Sequence, residues 1–398
     1  DEMMGRDPYS DSILMAEDYI ARQFKNAGLS EFPEFKNYRQ SFQMFLTEQD
    51  RTNSGIKING VAYPGAVFAA SGNVNYADLS QSDIENTFDI TNVGASDNLR
   101  NSLSRIIRNY ENNWIWVDPA HEDALSNYRR FLDRSVPSAQ DPRNNKRTLI
   151  IAVRPEEKIE RIDIDIRVNT REITLTNIIG YLEGSDPELN DEFFIFSGHH
   201  DHIGFNEEIE GDDKIYNGAD DNATGVTGVI TLAEYFSRHR EFKRSIIFVT
   251  FTAEEKGLLG ARQLLEDLPV PRDKIVGMIN FEMLGKQSKW GWNRTFLTGF
   301  EYSNLGEIMK AAISDTSKFN IYPDPYGLFY GSDNAPFARA DMVSHSLSST
   351  DVGGDKHYHQ VTDEYETLSI DNMVTVIRGV SEAVMPVLNG AKTPARIK

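Results

Sequence analysis

The sequence predicts an α/β fold in which helices cover both faces of a mixed β-sheet, giving three layers, with a separate lobe inserted into it. Short apolar strand-like runs alternate with helical patterns in the second half of the chain, as in 193–196 followed by 223–236. Antiparallel-looking strands precede this alternation, which is typical of a mixed sheet. The lobe is predicted because the composition changes at about residue 53 and changes back at about 143.

Composition narrows the classes of function. The chain has 398 residues, of which 39% are apolar and 26% charged, as in ordinary globular proteins. Its 41 basic and 61 acidic residues give a net charge of −20, which argues against nucleic acid as a partner. No apolar run approaches the roughly 20 residues of a membrane span. Cysteine is absent, which excludes disulfides, thiol nucleophiles and cysteine-bound zinc.

The N-terminal elements come first. Apolar residues at helical spacing, including Ile13, Ile20 and Phe24, predict a helix over 12–29 that ends at Gly28, and 38–46 is a predicted strand. Residues 53–143 are rich in Asn, Ser, Asp and Gly, with aromatic islands. We therefore predict a main domain formed by 1–52 and 144–398 and an inserted lobe over 53–143. We hypothesise that the lobe is a lid that restricts access to short peptides.

The remaining elements follow from periodicity and turn signals. Residues 162–168 alternate apolar and polar side chains, which predicts a strand with one exposed face. Predicted strands are 148–153, 162–168, 174–182, 193–197, 245–251, 275–281, 295–299 and 342–347. Predicted helices are 223–237, 256–266, 303–315 and 370–387.

Imidazoles and carboxylates gather where three of these strands end. His199 and Asp201 follow strand 193–197, Glu254 and Glu255 follow strand 245–251, and Glu282 follows strand 275–281. Ligands of open α/β sheets collect outside the carboxyl ends of strands. If these strands are neighbours, one pocket holds His199, Asp220, Glu254, Glu255 and Glu282. Because so many acids would repel each other, the pattern predicts a bound metal.

A late histidine is expected to join this pocket. The candidates are His345, His357 and His359. Tyr358 directly before His359, and the acid Asp363 shortly after it, favour His359. Only alternate residues at a strand end face the same side, so we expect His200 and His202 to face the other way and either to support the metal ligands from behind or to be structural.

These motifs together resemble the two-zinc exopeptidase family that includes bacterial leucyl aminopeptidases and the glutamate carboxypeptidases. The family pattern is His-x-Asp, Asp-Asp-Asn, Glu-Glu, an acid after a strand and a late His. This sequence matches it in order and spacing over about 170–390, with the motif residues His199-His200-Asp201, Asp220-Asp221-Asn222, Glu254-Glu255, Glu282 and His359.

The resemblance implies a peptide hydrolase with two Zn²⁺ per chain. His199 and Glu282 would bind one zinc, Glu255 and His359 the other, and Asp220 would bridge the two. The resemblance also implies that Glu254 is the general base, that Asp201 orients His199 and that Tyr358 donates a hydrogen bond to the oxyanion. Tyr326, Phe329 and Tyr330 are expected either to line the substrate pocket or to pack as core.

Two positions depart from the family pattern. The acid after strand 275–281 is often Asp in the family and is Glu282 here, which can still bind a metal but can change the metal spacing. Segment 331–337 often carries His where Asn334 stands, so the family's specificity does not carry over. We expect this segment to shape the substrate pocket.

Several alternatives stay open at this stage. A glutamate-releasing carboxypeptidase needs an arginine patch, and between Glu282 and His359 the arginines are Arg294 and Arg339, which favours an aminopeptidase. A glutaminyl cyclase-like acyltransferase would keep one zinc. An inactive binding protein, or an interaction protein that uses the inserted lobe, are the non-enzymatic options. We expect a periplasmic or secreted location, with the cytoplasm as the alternative. Nothing in the sequence specifies the oligomeric state.

Overall fold

The chain divides into two units. In the computed structural model, which describes residues 1–132 and 134–397, the main unit comprises Asp1–Phe42 and Leu175–Lys398, and the inserted unit is Gln43–Thr174. The inserted unit is therefore wider at both ends than the predicted lobe of 53–143. The reason is that the predicted strands 148–153 and 162–168 pair with strands of the insert and not with the main sheet.

The helices of the main unit include most of those expected from periodicity. The α-helices are α1 (Ile13–Ala27), α2 (Gln81–Thr87), α3 (Leu99–Arg108), α4 (Glu122–Leu132), α5 (Gly225–Arg238), α6 (Leu259–Glu266), α7 (Leu305–Ala312), α8 (Asn334–Arg339), α9 (Ile370–Ala383) and α10 (Met385–Leu388). The first ends as predicted, because Gly28 takes a left-handed φ of 77° and its N–H bonds back to the last turn. α2, α3 and α4 lie in the inserted unit, and neither these three helices nor α8 were predicted from the sequence.

The strands are short apart from two that cross the boundary between the units. They are β1 (Arg39–Gln49), β2 (Gly55–Ile58), β3 (Val61–Ala62), β4 (Ala66–Ala70), β5 (Val74–Leu79), β6 (Asp89–Val93), β7 (Asn112–Val117), β8 (Val136–Ser138), β9 (Thr148–Val153), β10 (Ile162–Ile166), β11 (Val168–Leu182), β12 (Phe193–His199), β13 (Gly204–Phe205), β14 (Ile215–Tyr216), β15 (Ser245–Phe251), β16 (Ile275–Glu282), β17 (Arg294–Leu297), β18 (Asn320–Pro323) and β19 (Ser344–Ser348).

The main unit is built on one mixed sheet with the strand order β18-β17-β19-β16-β12-β15-β11-β1. β12 lies at its centre and runs parallel to both β15 and β16. The pairs β11–β15 and β17–β19 are antiparallel. The predicted mixed sheet is thus confirmed, and the three strands that end in candidate site residues are direct neighbours.

Helices cover both faces of this sheet, as predicted. One apolar core packs α1, α5, α7 and α9 against the sheet, with Phe196 at its centre. Phe196 stacks on Phe236 and Phe281, at ring-centroid distances of 6.2 and 5.9 Å. A second core packs α6 and α8 on the other face through Leu264 and Phe337. Two apolar layers hold the central strands rigidly, so their carboxyl ends are fixed relative to each other.

The inserted unit has cores and sheets of its own. One sheet has the order β3-β2-β10-β5 and another has the order β4-β9-β7-β6, while β8 pairs with residues 45–47 of β1. Along β10, Ile162, Ile164 and Ile166 are buried and the two aspartates between them are partly exposed, as the alternation predicted. Within the described residues, no helix is both long enough and apolar enough to cross a membrane.

Candidate metal centre

The candidate site forms at the carboxyl ends of the three central parallel strands. β12 ends at His199 and β16 ends at Glu282, while Glu254 and Glu255 follow β15 after a short turn. In register, His199 lies beside Phe251 of β15, and Ser197 lies beside Asn280 of β16. The predicted convergence of these strand ends is confirmed. Ala253, Met283 and His359 have positive φ values of 53°, 51° and 55°, and such strained backbone is typical of functional sites.

A first cluster, the His199 group, consists of His199, Asp221 and Glu282. His199 Nε2 lies 3.2 Å from Asp221 Oδ1 and 3.5 Å from Glu282 Oε2. The other ring nitrogen, Nδ1, donates to the backbone carbonyl of Asp201 at 3.0 Å. Since a carbonyl oxygen only accepts, Nδ1 carries a proton, and Nε2 is the ring nitrogen that faces the two carboxylates.

A second cluster, the Glu255 group, consists of Asp221, Glu255, His202 and His359. His359 Nε2 lies 3.2 Å from both Asp221 Oδ2 and Glu255 Oε1. His202 Nδ1 lies 2.9 Å from Glu255 Oε1 and 4.0 Å from Asp221 Oδ2. Asp221 therefore belongs to both groups, with one carboxylate oxygen turned to each.

The shared carboxylate is Asp221 and not Asp220, which corrects the expectation for Asp220. The Asp220 side chain is buried and turned away from the histidines: it accepts from Thr350 Oγ1 at 2.7 Å and from the Gly285 N–H at 2.8 Å. Burial raises its pKa to about 7, although these bonds and the nearby Lys286 charge oppose the rise. Adjacent acids in the sequence point in different directions, and the letters Asp-Asp do not specify which one faces the site.

His202 also differs from the expectation, because it faces the site. The alternation of side chains applies only within an extended strand, and β12 ends at His199. Beyond that residue the chain turns, which brings the His202 ring onto Glu255. His200 behaves as expected: its Nδ1 lies 3.2 Å from Thr250 Oγ1, on the opposite side of the strand end.

Asp201 supports the acids after β15 more directly than it supports His199. Its carboxylate accepts the N–H groups of Glu254 at 3.0 Å and of Glu255 at 3.2 Å. The same carboxylate lies 3.8 Å from His199 Nδ1, farther than the Asp201 carbonyl oxygen. The expected orientation of His199 by Asp201 therefore runs through the backbone, and the side chain positions the Glu254–Glu255 turn.

The charges of the site attract cations. Burial raises the pKa of Glu254 well above its usual range; His199 opposes the rise, and Asp333 and Glu282 add to it. Burial alone would lower the pKa of His199, yet the charges of Glu282 and Glu254 raise it well above its usual value. A pocket that would hold a proton on a fully buried imidazole is one that stabilises a positive ion.

A network that the sequence analysis missed holds Asp221 in place. Asp363 Oδ2 accepts the N–H groups of Asp220 and Asp221, each at 3.0 Å. Its other oxygen accepts from Lys286 Nζ at 3.0 Å, and Lys286 also donates to Asp355 at 2.9 Å. Lys286 gave no sequence signal, because a lone lysine after a strand is normally a solvated surface residue.

Glu282 is held by two donors. Asn280 Nδ2 donates to Glu282 Oε1 at 2.9 Å, and the Ser332 hydroxyl donates to the same oxygen. Oε2 is left facing His199. The extra methylene of Glu relative to Asp is thus accommodated by donors that fix its carboxylate.

A cavity opens beside both groups. Its apolar wall is formed by Met283, Phe296, Leu328 and Val352, and hydroxyl groups line another part of it. From the predicted segment 331–337, Gly331 and Ser332 line the cavity. Asn334 is buried inside α8, where it donates to the Phe329 carbonyl.

The three aromatics expected at the substrate pocket do not line this cavity. Phe329 is buried and stacks on Tyr302 at a centroid distance of 4.6 Å. The Tyr326 hydroxyl donates to Asp351, and Tyr330 is exposed beneath the Arg339 guanidinium. Of the two roles expected for these aromatics, pocket lining or core packing, Phe329 has the second.

Tyr358 lines the cavity next to the Glu255 group. Its ring stacks on His359 at a centroid distance of 4.0 Å, and 39% of the residue is exposed. Burial raises the pKa of its hydroxyl, and the charges of Asp221 and Glu255 raise it further, so the group stays a hydrogen-bond donor.

The donor sets of both groups fit zinc. Each combines imidazole nitrogen with carboxylate oxygen, the ligands that Zn²⁺ takes in sites without cysteine. Glu255 Oε1 and both ring nitrogens of His202 are buried and lack a hydrogen bond of acceptable geometry within the described residues. Such atoms are costly unless a cation or donor meets them.

Known structures share this fold. An aminopeptidase from Aneurinibacillus sp. strain AM-1 is 17% identical and superposes with a TM-score of 0.60, covering 96% of this chain and 89% of that chain. A zinc aminopeptidase from Bacillus subtilis is 14% identical with a TM-score of 0.57, covering 98% and 93% of the two chains. At these identities the likeness concerns the fold alone.

Relatives also appear at the level of sequence. A probable zinc metalloprotease of Pyrenophora tritici-repentis is 33% identical over 114 residues, which cover 28% of this chain and 25% of that protein. Its counterpart in Pyrenophora teres f. teres is 32% identical over 114 residues, 28% of this chain and 23% of that protein. The match thus spans about a quarter of each relative.

The family assignment rests on a longer match. Residues 177–384, just over half of the chain, match the model of peptidase family M28. This segment contains every residue of the His199 group and the Glu255 group, so the family resemblance drawn from the motifs is confirmed. The chain belongs to peptidase family M28.

Proposed function

We propose that this chain is a zinc-dependent aminopeptidase that removes N-terminal residues with apolar side chains from peptides. The observation that carries the proposal is the cavity beside the two groups. Four apolar side chains form one wall, and no Lys or Arg is among the described residues that line it. An apolar wall suits an apolar side chain, and the carboxylates beside it suit a free ammonium group.

The same cavity is unsuited to an acidic terminus. The two arginines that follow Glu282 and precede His359 are both engaged elsewhere. Arg294 donates to the carbonyls of Asn293 and Ser317, and Arg339 lies over the Tyr330 ring at 5.1 Å. A carboxylate placed next to Glu254 and Glu255 would be repelled, which disfavours the glutamate carboxypeptidase alternative.

His199, Asp221 and Glu282 would hold one zinc, and Asp221, Glu255 and His359 would hold the second. When bound, zinc polarises the scissile carbonyl and lowers the pKa of water. Both groups use the Asp221 carboxylate, so zinc binding in one group should change the zinc affinity of the other. The number of two ions per chain is part of this proposal.

The chain's own residues then carry the proton. Glu254 lines the cavity, and Asp201 holds its N–H in place. Glu254 takes a proton from the attacking water, the water oxygen bonds to the carbonyl carbon, and the C–N bond breaks as Glu254 passes the proton to the leaving amine. Tyr358 donates to the carbonyl oxygen as negative charge develops on it.

Hydrolysis of a panel of aminoacyl p-nitroanilides, together with zinc analysis, tests the proposal. We expect leucyl and methionyl substrates to be cleaved best and N-acetylated leucyl anilide to be left intact, because acetylation removes the ammonium group. E254Q should keep its zinc and lose activity by about a thousandfold or more. E307Q, at an exposed position on α7, is the matched control.

Other outcomes would overturn the proposal. Release of C-terminal glutamate without anilide cleavage would identify a carboxypeptidase. A single zinc with cyclisation of N-terminal glutamine would identify the acyltransferase alternative. Zinc-free protein without hydrolysis would leave a binding function.

The lid role proposed for the insert has a direct test. The Asp50 N–H donates to the Arg167 carbonyl at 2.9 Å, so a short Gly-Ser linker can replace residues 51–166. If the insert limits access, the shortened protein should cleave long peptides faster relative to dipeptides. An unchanged length preference would refute the lid.

The location also stays a prediction. We propose a periplasmic or secreted protein, which fractionation of the native cells with an antibody to this chain would check. Recovery in the cytosolic fraction would refute it.

A further inference from the structure

We propose that His202 is a further metal ligand, a second imidazole of the Glu255 group that no family motif supplies. This inference rests on the proposed function, because it concerns the same metal centre. It assigns a role to a residue that the alternation of side chains would exclude from the site.

His202 faces the same two carboxylate oxygens as His359. Its Nδ1 is 2.9 Å from Glu255 Oε1 and 4.0 Å from Asp221 Oδ2. His359 Nε2 is 3.2 Å from each of the same two oxygens. Ligands that bind one zinc at about 2.0–2.2 Å lie roughly 3–4 Å from each other. Nδ1 of His202 and Nε2 of His359 therefore face the same two carboxylate oxygens, and His202 with Asp221 and Glu255 has ligand atoms close enough together to hold one metal ion.

Burial makes this arrangement costly without a cation. His202 is 0% exposed, and neither ring nitrogen makes a hydrogen bond of acceptable geometry within the described residues. The Glu255 oxygen that it faces is equally buried and unsatisfied. A neutral imidazole whose lone pair on Nδ1 meets a metal would satisfy the nitrogen and the carboxylate together.

The backbone makes room for this ring. Gly218, at the N-terminal end of the turn that carries Asp221, has a left-handed φ of 56°. A Cβ atom built there would lie 2.5 Å from two carbons of the His202 ring. The His202 N–H also donates to the Arg6 carbonyl, and the Arg6 guanidinium donates to the carbonyls of Asn217 and Gly218. The N-terminal segment thus fixes both His202 and the glycine it packs against.

A purely structural role is the competing explanation. In that case His202 Nδ1 would carry a proton and donate to Glu255, and metal binding would leave it unchanged. His200 offers a matched control, because it is a buried histidine two residues earlier whose ring points to Thr250 instead.

Zinc binding to demetallated wild type, H202Q and H200Q is measured by titration against a competing chelator. We expect wild type and H200Q to bind two zinc ions, and H202Q to bind one ion normally and the second at least about 10- to 100-fold more weakly. The thermal stability of each metal-free protein shows whether the variants fold.

The ring nitrogen itself provides a second readout. The chain has 8 histidines, so labelling histidine with ¹⁵N gives few signals, and His202 is identified by its absence from H202N. We expect zinc to shift the Nδ1 resonance of wild-type His202 and to leave this nitrogen without a proton. The shift is measured on the wild type, so it shows whether His202 binds zinc even if a variant fails to fold.

The outcomes separate the two proposals. A wild type that binds two zinc ions while H202Q follows the same titration curve, or an Nδ1 that keeps its proton, would overturn the role of His202 alone. A wild type that binds no zinc would overturn both proposals.

Discussion

The two units bury different kinds of residue. The inserted unit has large apolar cores that include Trp114 and Leu149, and its buried polar side chains, among those that the structure describes, are the hydroxyls of Thr47, Ser71 and Thr148. The main unit buries ionisable side chains as well, namely Arg6, Glu17, His199, His200, Asp201, His202, Asp220, Asp221, Arg244, Lys286, Asp333, His345 and Asp363.

This difference indicates that the core of the inserted unit serves stability, whereas the buried side chains of the main unit also serve the candidate site. Burying an ionisable group costs free energy unless it is paired or binds a metal. The inserted unit avoids that cost, so its core is explained by apolar burial alone. The main unit bears this cost, and most of its buried ionisable side chains lie in or next to the His199 group and the Glu255 group.

The largest effect is expected at two adjacent aspartates of the main unit, of which one belongs to both groups and the other does not. D221N should lose zinc from both groups and lower kcat/KM by about a thousandfold or more, because Asp221 Oδ1 and Oδ2 face different histidines. D220N should cost less, about 10- to 100-fold, since Asp220 supports the turn through Thr350 and Gly285. Zinc content and kcat/KM of both variants check this. A larger loss in D220N would restore the original expectation for Asp220.

Truncation of an apolar core residue in the inserted unit should lower the free energy of unfolding and leave zinc binding unchanged. Leu149 is fully buried in β9, so L149A should destabilise the protein by about 2–5 kcal/mol. Chemical denaturation measures this loss, and zinc content per folded chain should stay the same. Altered zinc affinity in L149A would show that the two units are not as separate in function as their buried residues indicate.

Lys286 tests whether a buried charge behind the site matters to the metal. K286M removes the cation that faces Asp363, Asp355 and Asp220, and should weaken zinc binding by about 10- to 100-fold. Titration with a competing chelator measures it. Lys289 is exposed in the same loop, so K289M is the matched control and should bind zinc like the wild type.

Much of the main unit was predictable because its strands are apolar runs that end in acids or imidazoles. The order of strands β16, β12 and β15 brings His199, Glu254 and Glu282 together, and the motif order already implied this. The sheets of the insert were assigned to the wrong unit, because a strand pattern such as Ile162–Ile166 does not specify its partner strand.

The errors within the site have a local cause. Asp220 and His202 were misjudged because side-chain direction depends on backbone angles after a strand ends, and Asp221 has φ −102° and ψ 90° inside a helical turn. The sequence left two options open for Phe329, because an aromatic side chain suits a core and a pocket equally. Lys286 was missed because its three carboxylate partners are distant in sequence and meet only in the fold.

Glu17 on α1 tests the comparison differently, because it is a buried acid of the main unit that belongs to neither the His199 group nor the Glu255 group. Only 3% of it is exposed, and burial raises its pKa from 4.5 to about 7, although Arg39 opposes the rise. The pKa of Glu17 is higher in the folded protein than in the unfolded chain. The contribution of Glu17 to the free energy of unfolding is therefore complete below about pH 4.5 and is lost as pH rises through 7. E17Q should therefore match the wild type near pH 4.5 and be more stable by about 1–3 kcal/mol at pH 8. Denaturation of both proteins across this range measures the difference, with E382Q on the exposed face of α9 as control. If E17Q is instead less stable at pH 8, Glu17 is ionised and paired, and the main unit uses buried charge for stability as well as for its site.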